Sequence, residues 1–265
     1  MSVRTVVIKS LSELIAQVTP SDPDQATGRR RSKVVYRGAA DAAWPLYTSL
    51  DTLGGADPPH TKADLEEHIL RNFIRYARPH LGTTPVDEWE ILVSAQHHGA
   101  PTRLLDWTYS PLVAAHFATI HGAPGVDRAV WQLDWKALHH RFGVPELVLQ
   151  IEDLREVFGP EHPFTPWTLF GRAFEHRHFA CMIEPPSLDA RITAQSATFT
   201  LCSHKRESFD RFLERHELGA ALTRFVIPAG EVSRVRDQLD LVSVDERRLF
   251  PDLDGVADYL RRYYS

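Results

Sequence analysis

The chain has 265 residues, of which 43% are apolar and 25% charged, with a formal net charge of −5. This suits a soluble globular chain with one sizeable core, and the acidic balance argues against attraction of the whole protein to nucleic acid or anionic membrane. Two cysteines, Cys181 and Cys202, show no zinc-ligand or disulfide spacing, residues 1–10 lack a signal-like apolar run, and no stretch is long enough to span a bilayer. A reduced, cytoplasmic setting with no membrane partner is expected. Basic clusters at Arg29-Arg30-Arg31 with Lys33, and at Lys205-Arg206, read as solvated faces before anything else.

In chain order, Val6-Val7-Ile8 reads as a strand. Ser10 and Glu13 form a capping box for an amphipathic helix over 11–18, ended by Pro20. Residues 20–32 are a polar loop. Val34-Val35-Tyr36 is a strand that stops at Arg37-Gly38. Gly54-Gly55 and Pro58-Pro59 mark an exposed connection. Thr61 caps a longer helix carrying Leu65, Ile69, Phe73 and Tyr76 on one face, closed by Pro79. Pro85 opens the next helix, which presents Trp89, Leu92, Val93 and Gln96 and stops near Gly99. Ser110 and Pro111 start another, running to about His121, whose small residues Ala114, Ala115 and Ala118 allow close approach to a sheet or ligand.

Strand-like runs follow at 129–133, 178–183, 197–202 and 222–227. Helices are expected at Trp135–Phe142, Ile151–Phe158, Trp167–Phe174, around Phe209–His216 up to Gly219, at Val232–Leu239 and at Val256–Tyr263. The elements lack the regular βαβ rhythm of a doubly wound fold, so one α+β domain is expected, with residues 1–32 as a helix-and-loop lead-in to a domain over 33–265.

Several polar constellations invite both a structural and a functional reading. Arg37 beside Gly38 is either an exposed strand-end arginine or a fork for phosphate and ribose. The block from Gln96 to Thr108 packs His97, His98, Arg103, Asp106 and Trp107 around a Gly and a Pro. One histidine should be packed and the other turned outward, and there is no HExxH spacing to suggest metal. Arg103 and Asp106 are either a local brace or ligand contacts. Trp107-Thr108 suits a stacked ring or a core indole. Gln195 can orient a hydroxyl or bond a turn, but is no general base. Asp252 and Asp254 are an acidic pair for a metal or, more simply, a helix cap. The absence of GxGxxG, GxxxxGK[ST] and GxSxG leaves Rossmann, P-loop and α/β-hydrolase chemistry unsupported.

Together these blocks resemble the FRG domain family. Its Phe-Arg-Gly motif stands here as Tyr36-Arg37-Gly38, with Tyr for Phe. Its central block resembles Gln96–Thr108, continued by Pro111–Ala115 and Phe117-Ala118. Further blocks resemble Arg191-Ile192 with Ala194-Gln195 and Phe199-Thr200, and Leu249–Gly255; Ala197 stands where the family tends to have Gly. The resemblance covers roughly residues 34–260. The block order is in turn similar to that of ADP-ribosyltransferases, which implies a mixed, split central β-sheet flanked by helices and NAD as substrate. On that resemblance Arg37 holds the nicotinamide ribose or phosphates, and Tyr36 and Trp107 wall the nicotinamide. Gly38, Gln96, His97, Arg103 and Thr108 line the NAD site. Asp106-Trp107-Thr108 replaces the Ser-Thr-Ser strand, Ala115–Ala118 lies on the helix behind it, and Gln195 falls at or near the usual catalytic Glu. Arg37, Asp106 and Gln195 are then the catalytic candidates. The implied function is transfer of ADP-ribose to a protein, nucleic-acid or small-molecule acceptor. The alternatives are a non-catalytic nucleotide- or macromolecule-binding module and, more distantly, a metal-dependent hydrolase using Asp252, Asp254 and His97, although no metal is expected.

Overall fold

A computed structural model describes residues 2–23, 28–29, 33–54, 60–80, 88–158, 165–166, 178–185, 190–203 and 207–264. The expected helix Trp167–Phe174, Pro85, Lys205-Arg206 and most of the Arg29–Arg31 cluster lie outside the described residues. Strand β1 (Arg4–Val7) leads to α1 (Leu11–Val18), then β2 (Val34–Ala39), α2 (Ser49–Thr52), α3 (Lys62–Ala77) and α4 (Glu88–His97). The central block forms β3 (Leu105–Thr108), followed by α5 (Pro111–Ile120), β4 (Arg128–Asp134), α6 (Trp135–Phe142) and α7 (Ile151–Phe158). Next come β5 (Ala180–Ile183), α8 (Ala190–Ala194), β6 (Ala197–Cys202), α9 (Phe209–Arg215) and β7 (Leu222–Ile227). The chain closes with α10 (Val232–Leu241), α11 (Glu246–Leu249) and α12 (Leu253–Tyr263).

The caps follow the local chemistry. The Ser10 side chain accepts from the Glu13 N–H, but the Glu13 carboxylate reaches the Lys9 N–H at 2.8 Å, one residue earlier than the expected box. Thr61 and Asp64 make a reciprocal box on α3, and Ser110 with Pro111 opens α5. Gly99 takes φ +79° just past α4, a conformation open to glycine at no steric cost. Two expectations shift. β2 does not stop at Arg37: Arg37, Gly38 and Ala39 pair with Trp131, Val130 and Ala129 of β4, so the ladder carries the strand past the glycine. The last helix starts at Leu253, because Asp252 accepts from the Gly255 N–H and caps it there. The one-turn helices α2 and α11 are too short to leave a periodic signature and were not expected.

One seven-stranded sheet runs in the order β1-β7-β4-β2-β3-β6-β5. It is mixed: β1 pairs parallel to β7 and the other junctions are antiparallel. Residues 4–7 are therefore part of the sheet itself. The β2–β3 junction differs from the rest, being held by the single pair Tyr36↔Thr108 while β2–β4 and β4–β7 each carry six pairs.

Adjacent strand residues face opposite layers, as a two-residue period requires. Val35, Trp107, Trp131 and Met182 share one core with α6 and α9. On the other side the core is in two parts. Tyr36, Val130 and Phe225 pack with α1, α5 and α10, whereas Cys181, Phe199 and Leu201 pack with α3, α4 and α7.

Behind α5 lies a buried ionic knot. Arg236 Nη1 donates to His116 Nδ1 at 3.0 Å and its Nη2 to Glu246 Oε1 at 3.2 Å, while Arg262 grips Glu246 and Asp240. Because an arginine only donates, His116 Nδ1 must carry a lone pair. Burial, reinforced by the charge of Arg236, lowers the His116 pKa to about 4. The unfolded chain takes up a proton near pH 6.5 and the folded one does not, so stability is present above that pH and is lost as pH falls toward 4. Between pH 7 and 4.5 His116 should cost about 2 kcal/mol of stability. Urea midpoints measured across that range should fall steeply in the wild type and less steeply in His116→Gln.

Candidate functional site

Beyond Tyr36 and Thr108, β2 and β3 no longer pair, and a cleft of about 1180 Å³ opens beside the junction. Both strands, the end of α4, Phe117 of α5 and the segment from Ala39 to Ser49 line it. Arg37 reaches across the gap. Its Nη1 donates to the Asp106 carbonyl at 2.8 Å and to Asp106 Oδ2 at 3.3 Å. Gln96 Nε2 donates to Asp106 Oδ1 at 2.8 Å, and the Thr102 hydroxyl bonds Gln96 Oε1. A polar chain thus runs Thr102–Gln96–Asp106–Arg37, joining the end of α4 to both strands. It leaves the Asp106 side chain about half exposed. Among the described residues lining the cleft, Asp106 is the one carboxylate, set against Arg37, Arg191, His97, His98 and His121.

Gly38 explains how the second layer comes so close. A Cβ on Gly38 would fall within 3.0 Å of Ala114 O, Ala118 N and the Phe117 carbonyl carbon. The glycine therefore admits the backbone of α5, with its small residues, rather than a ligand to the guanidinium. Thr108 Oγ1 donates to the Gln195 carbonyl at 2.7 Å, and Gln195 Nε2 donates to the Leu249 carbonyl at 3.0 Å. Gln195 lines the cleft, but its amide nitrogen holds the start of β6 to α11, as a bonded turn amide would. Ser196, next along, has φ +47°, a left-handed turn immediately before Ala197.

The structure brings Tyr36, Arg37, Gly38, Gln96, His97, Asp106, Trp107, Thr108 and Gln195 to one cleft. Arg103 goes elsewhere. The brace between Arg103 and Asp106 is not formed: Arg103 Nε pairs with Glu66 of α3, and the Arg103 N–H donates to Glu66 Oε1 at 2.7 Å. Both side chains are fully buried, away from the cleft lining. Arg103 lies in the loop before β3, outside the strand's alternation, and that loop turns it toward Glu66 of α3. His97 is half-buried, and His98 is exposed and stacks on Phe73 at 6.4 Å. Asp252 and Asp254 do not line the cleft that holds His97. Among the described residues no group of three or more His, Cys, Asp or Glu is placed to hold a metal ion.

The aromatic lining also differs from expectation. Tyr36 and Trp107 touch the cleft but are each only 2% exposed. The Trp107 indole N–H donates to Thr200 Oγ1 at 3.0 Å and its ring packs edge-on against Phe209. The open rings are Trp44 and Tyr47, 56% and 43% exposed, on the segment after β2. Sequence reasoning passed over them because a loop has no periodicity. The Trp44-Pro45 step among small residues was the available signal.

Comparison with known proteins supports the family resemblance. The FRG domain model matches residues 32–124, which takes in Tyr36-Arg37-Gly38, the whole Gln96–Thr108 block and α5. The blocks at Arg191–Thr200 and Leu249–Gly255 lie outside the matched range. No curated protein and no solved structure matches the chain. No helix among the described residues is long and apolar enough to cross a membrane.

Proposed function

We propose that this chain is an NAD-dependent ADP-ribosyltransferase-like enzyme that cleaves the nicotinamide glycosidic bond and passes ADP-ribose to an acceptor. The observation that carries the reading is the location of the cleft. It opens where β2 and β3 part, with a guanidinium and a carboxylate fixed on its two edges. The planar Arg37 fork suits the NAD pyrophosphate or ribose, and the cationic lining draws it in. As the bond between ribose C1′ and nicotinamide breaks, the electron pair leaves with nicotinamide and positive charge builds on the ribose. Asp106 is the carboxylate that faces the cleft, and a pre-oriented anion stabilises that charge without reorganising. Gln96 and Arg37 set its orientation. The acceptor nucleophile then bonds C1′ and releases its proton to solvent.

Arg37→Ala and Asp106→Asn should each lower nicotinamide release from NAD by about 100-fold or more, with little change in Tm. If the wild-type protein, given NAD and candidate acceptors, releases no more nicotinamide than Arg37→Ala, this reading fails. The engagement of the Gln195 amide nitrogen by Leu249, in a cleft whose described lining holds no Glu, favours a second reading, in which the cleft binds a nucleotide without turnover. Calorimetric binding of ADP-ribose with no nicotinamide release would select that one.

A further inference from the structure

We propose that Trp44 and Tyr47 form a ring-stacking subsite that takes the base of a nucleoside phosphate whose phosphate lies toward Arg37. This rests on the nucleotide reading of the cleft and adds what selects the ligand's other end.

The segment carrying these rings is fixed along its length. Arg128 bonds the Ala40 carbonyl, Arg224 Nη1 donates to the Ala42 carbonyl at 3.1 Å, and the Ala42 N–H donates to the Asp127 carbonyl at 2.8 Å. The Ala43 N–H donates to Asp41 Oδ1 at 2.7 Å and the Leu46 N–H to Asp210 Oδ1 at 2.8 Å. The Leu46 carbonyl accepts from the Phe209 N–H at 2.8 Å, and Leu46, Thr48 and Leu50 are buried. Such a loop has no freedom to tuck its large side chains away, yet it holds an indole and a phenol half in water on the rim of the cleft. Single exposed apolar residues need no explanation. Two large rings within four residues, on a rigid backbone beside a cationic cleft, form a preorganised wall, and preorganisation removes the ordering cost of binding.

The wall also indicates the ligand class. An indole face stacks on any planar heteroaromatic ring, and base–aromatic stacking tolerates every base. The two arginines of the lining, against one aspartate, add a preference for negative charge. A ring joined to phosphate meets both demands. A sugar phosphate meets only the second, and a nucleoside only the first.

The test is calorimetry on the full chain with ADP, ribose 5-phosphate and adenosine as probes. ADP should bind the wild type more tightly than either other probe. Trp44→Ala should weaken ADP roughly tenfold, the loss of one stack, and leave ribose 5-phosphate unchanged. Trp44→Phe should retain most of the ADP affinity, and Tyr47→Ala should cost less than Trp44→Ala. Equal affinity for ADP and ribose 5-phosphate, no binding of ADP, or an unaltered ADP affinity in Trp44→Ala would each overturn the proposal. The transferase reading stands or falls separately. ADP binding that depends on Trp44 without nicotinamide release keeps the subsite and removes the transfer reaction. Nicotinamide release with ADP affinity indifferent to Trp44 does the reverse.

Discussion

Gly38→Ala should leave little or no folded protein. The added methyl has no room to move into, because the atoms it meets are the backbone of α5 and not the end of a flexible side chain. Either α5 lifts from β2 or the β2–β4 ladder distorts. Lifting α5 exposes the core of Tyr36, Ala114, Ala115 and Ala118. Overpacking of a well-fitted core costs about 1–3 kcal/mol when side chains can shift, and the cost here should exceed about 4 kcal/mol because they cannot. Soluble yield and the cooperative thermal transition report the outcome. Gly54→Ala is the control, since a Cβ there meets nothing within 4 Å and should be nearly silent. A Gly38→Ala protein that melts like the wild type would mean that α5 does not sit on β2 as described.

Glu66→Ala should be the next most damaging change. Glu66 and Arg103 are both out of water, and Glu66 also accepts from the Arg103 N–H. Removing the carboxylate takes away the partner that a buried guanidinium and a buried N–H share, which costs about 3–5 kcal/mol. For a chain of this size the Tm should fall by roughly 10 °C. The double variant Glu66→Leu with Arg103→Met should recover part of that loss, because a buried ion pair is often no more stabilising than apolar residues of similar volume. If the double variant is worse than Glu66→Ala alone, the pair contributes stability in its own right. This pair ties α3 to the loop that delivers β3, so a folded Glu66→Ala protein should also bind cleft ligands more weakly.

Local chemistry placed most of the elements. Ser10, Thr61 and Ser110 mark helix starts, Gly99 and Pro79 mark stops, and the runs at 197–202 and 222–227 are strands with the bounds the structure gives them. These signals depend on residues within one turn of each other, so they survive without knowledge of the fold. That Tyr36-Arg37-Gly38 and much of the Gln96–Thr108 block would come together was expected from the resemblance to the FRG domain family and not from the residues alone, and they do line one cleft.

Pairing across long separations was not legible. In the sequence Arg103 and Asp106 are three residues apart, close enough for a local brace. In the fold one turns into α3 and the other meets Arg37, 69 residues earlier. The role of Gly38 could not be read either, since only the packing of α5 on β2 shows what the absent methyl makes room for. The same holds for the rings: Tyr36 and Trp107 lie in strands and are drawn into cores, while Trp44 and Tyr47 lie in a loop that hydrogen bonds hold open. Most helices and strands, though not all of their ends, could be read from the chain, because caps, turns and periodicity act over a few residues. Which charged groups pair, which aromatic faces stay in water and where the sheet parts to make a cleft were settled by the fold, because those outcomes depend on which distant segments compete for the same space.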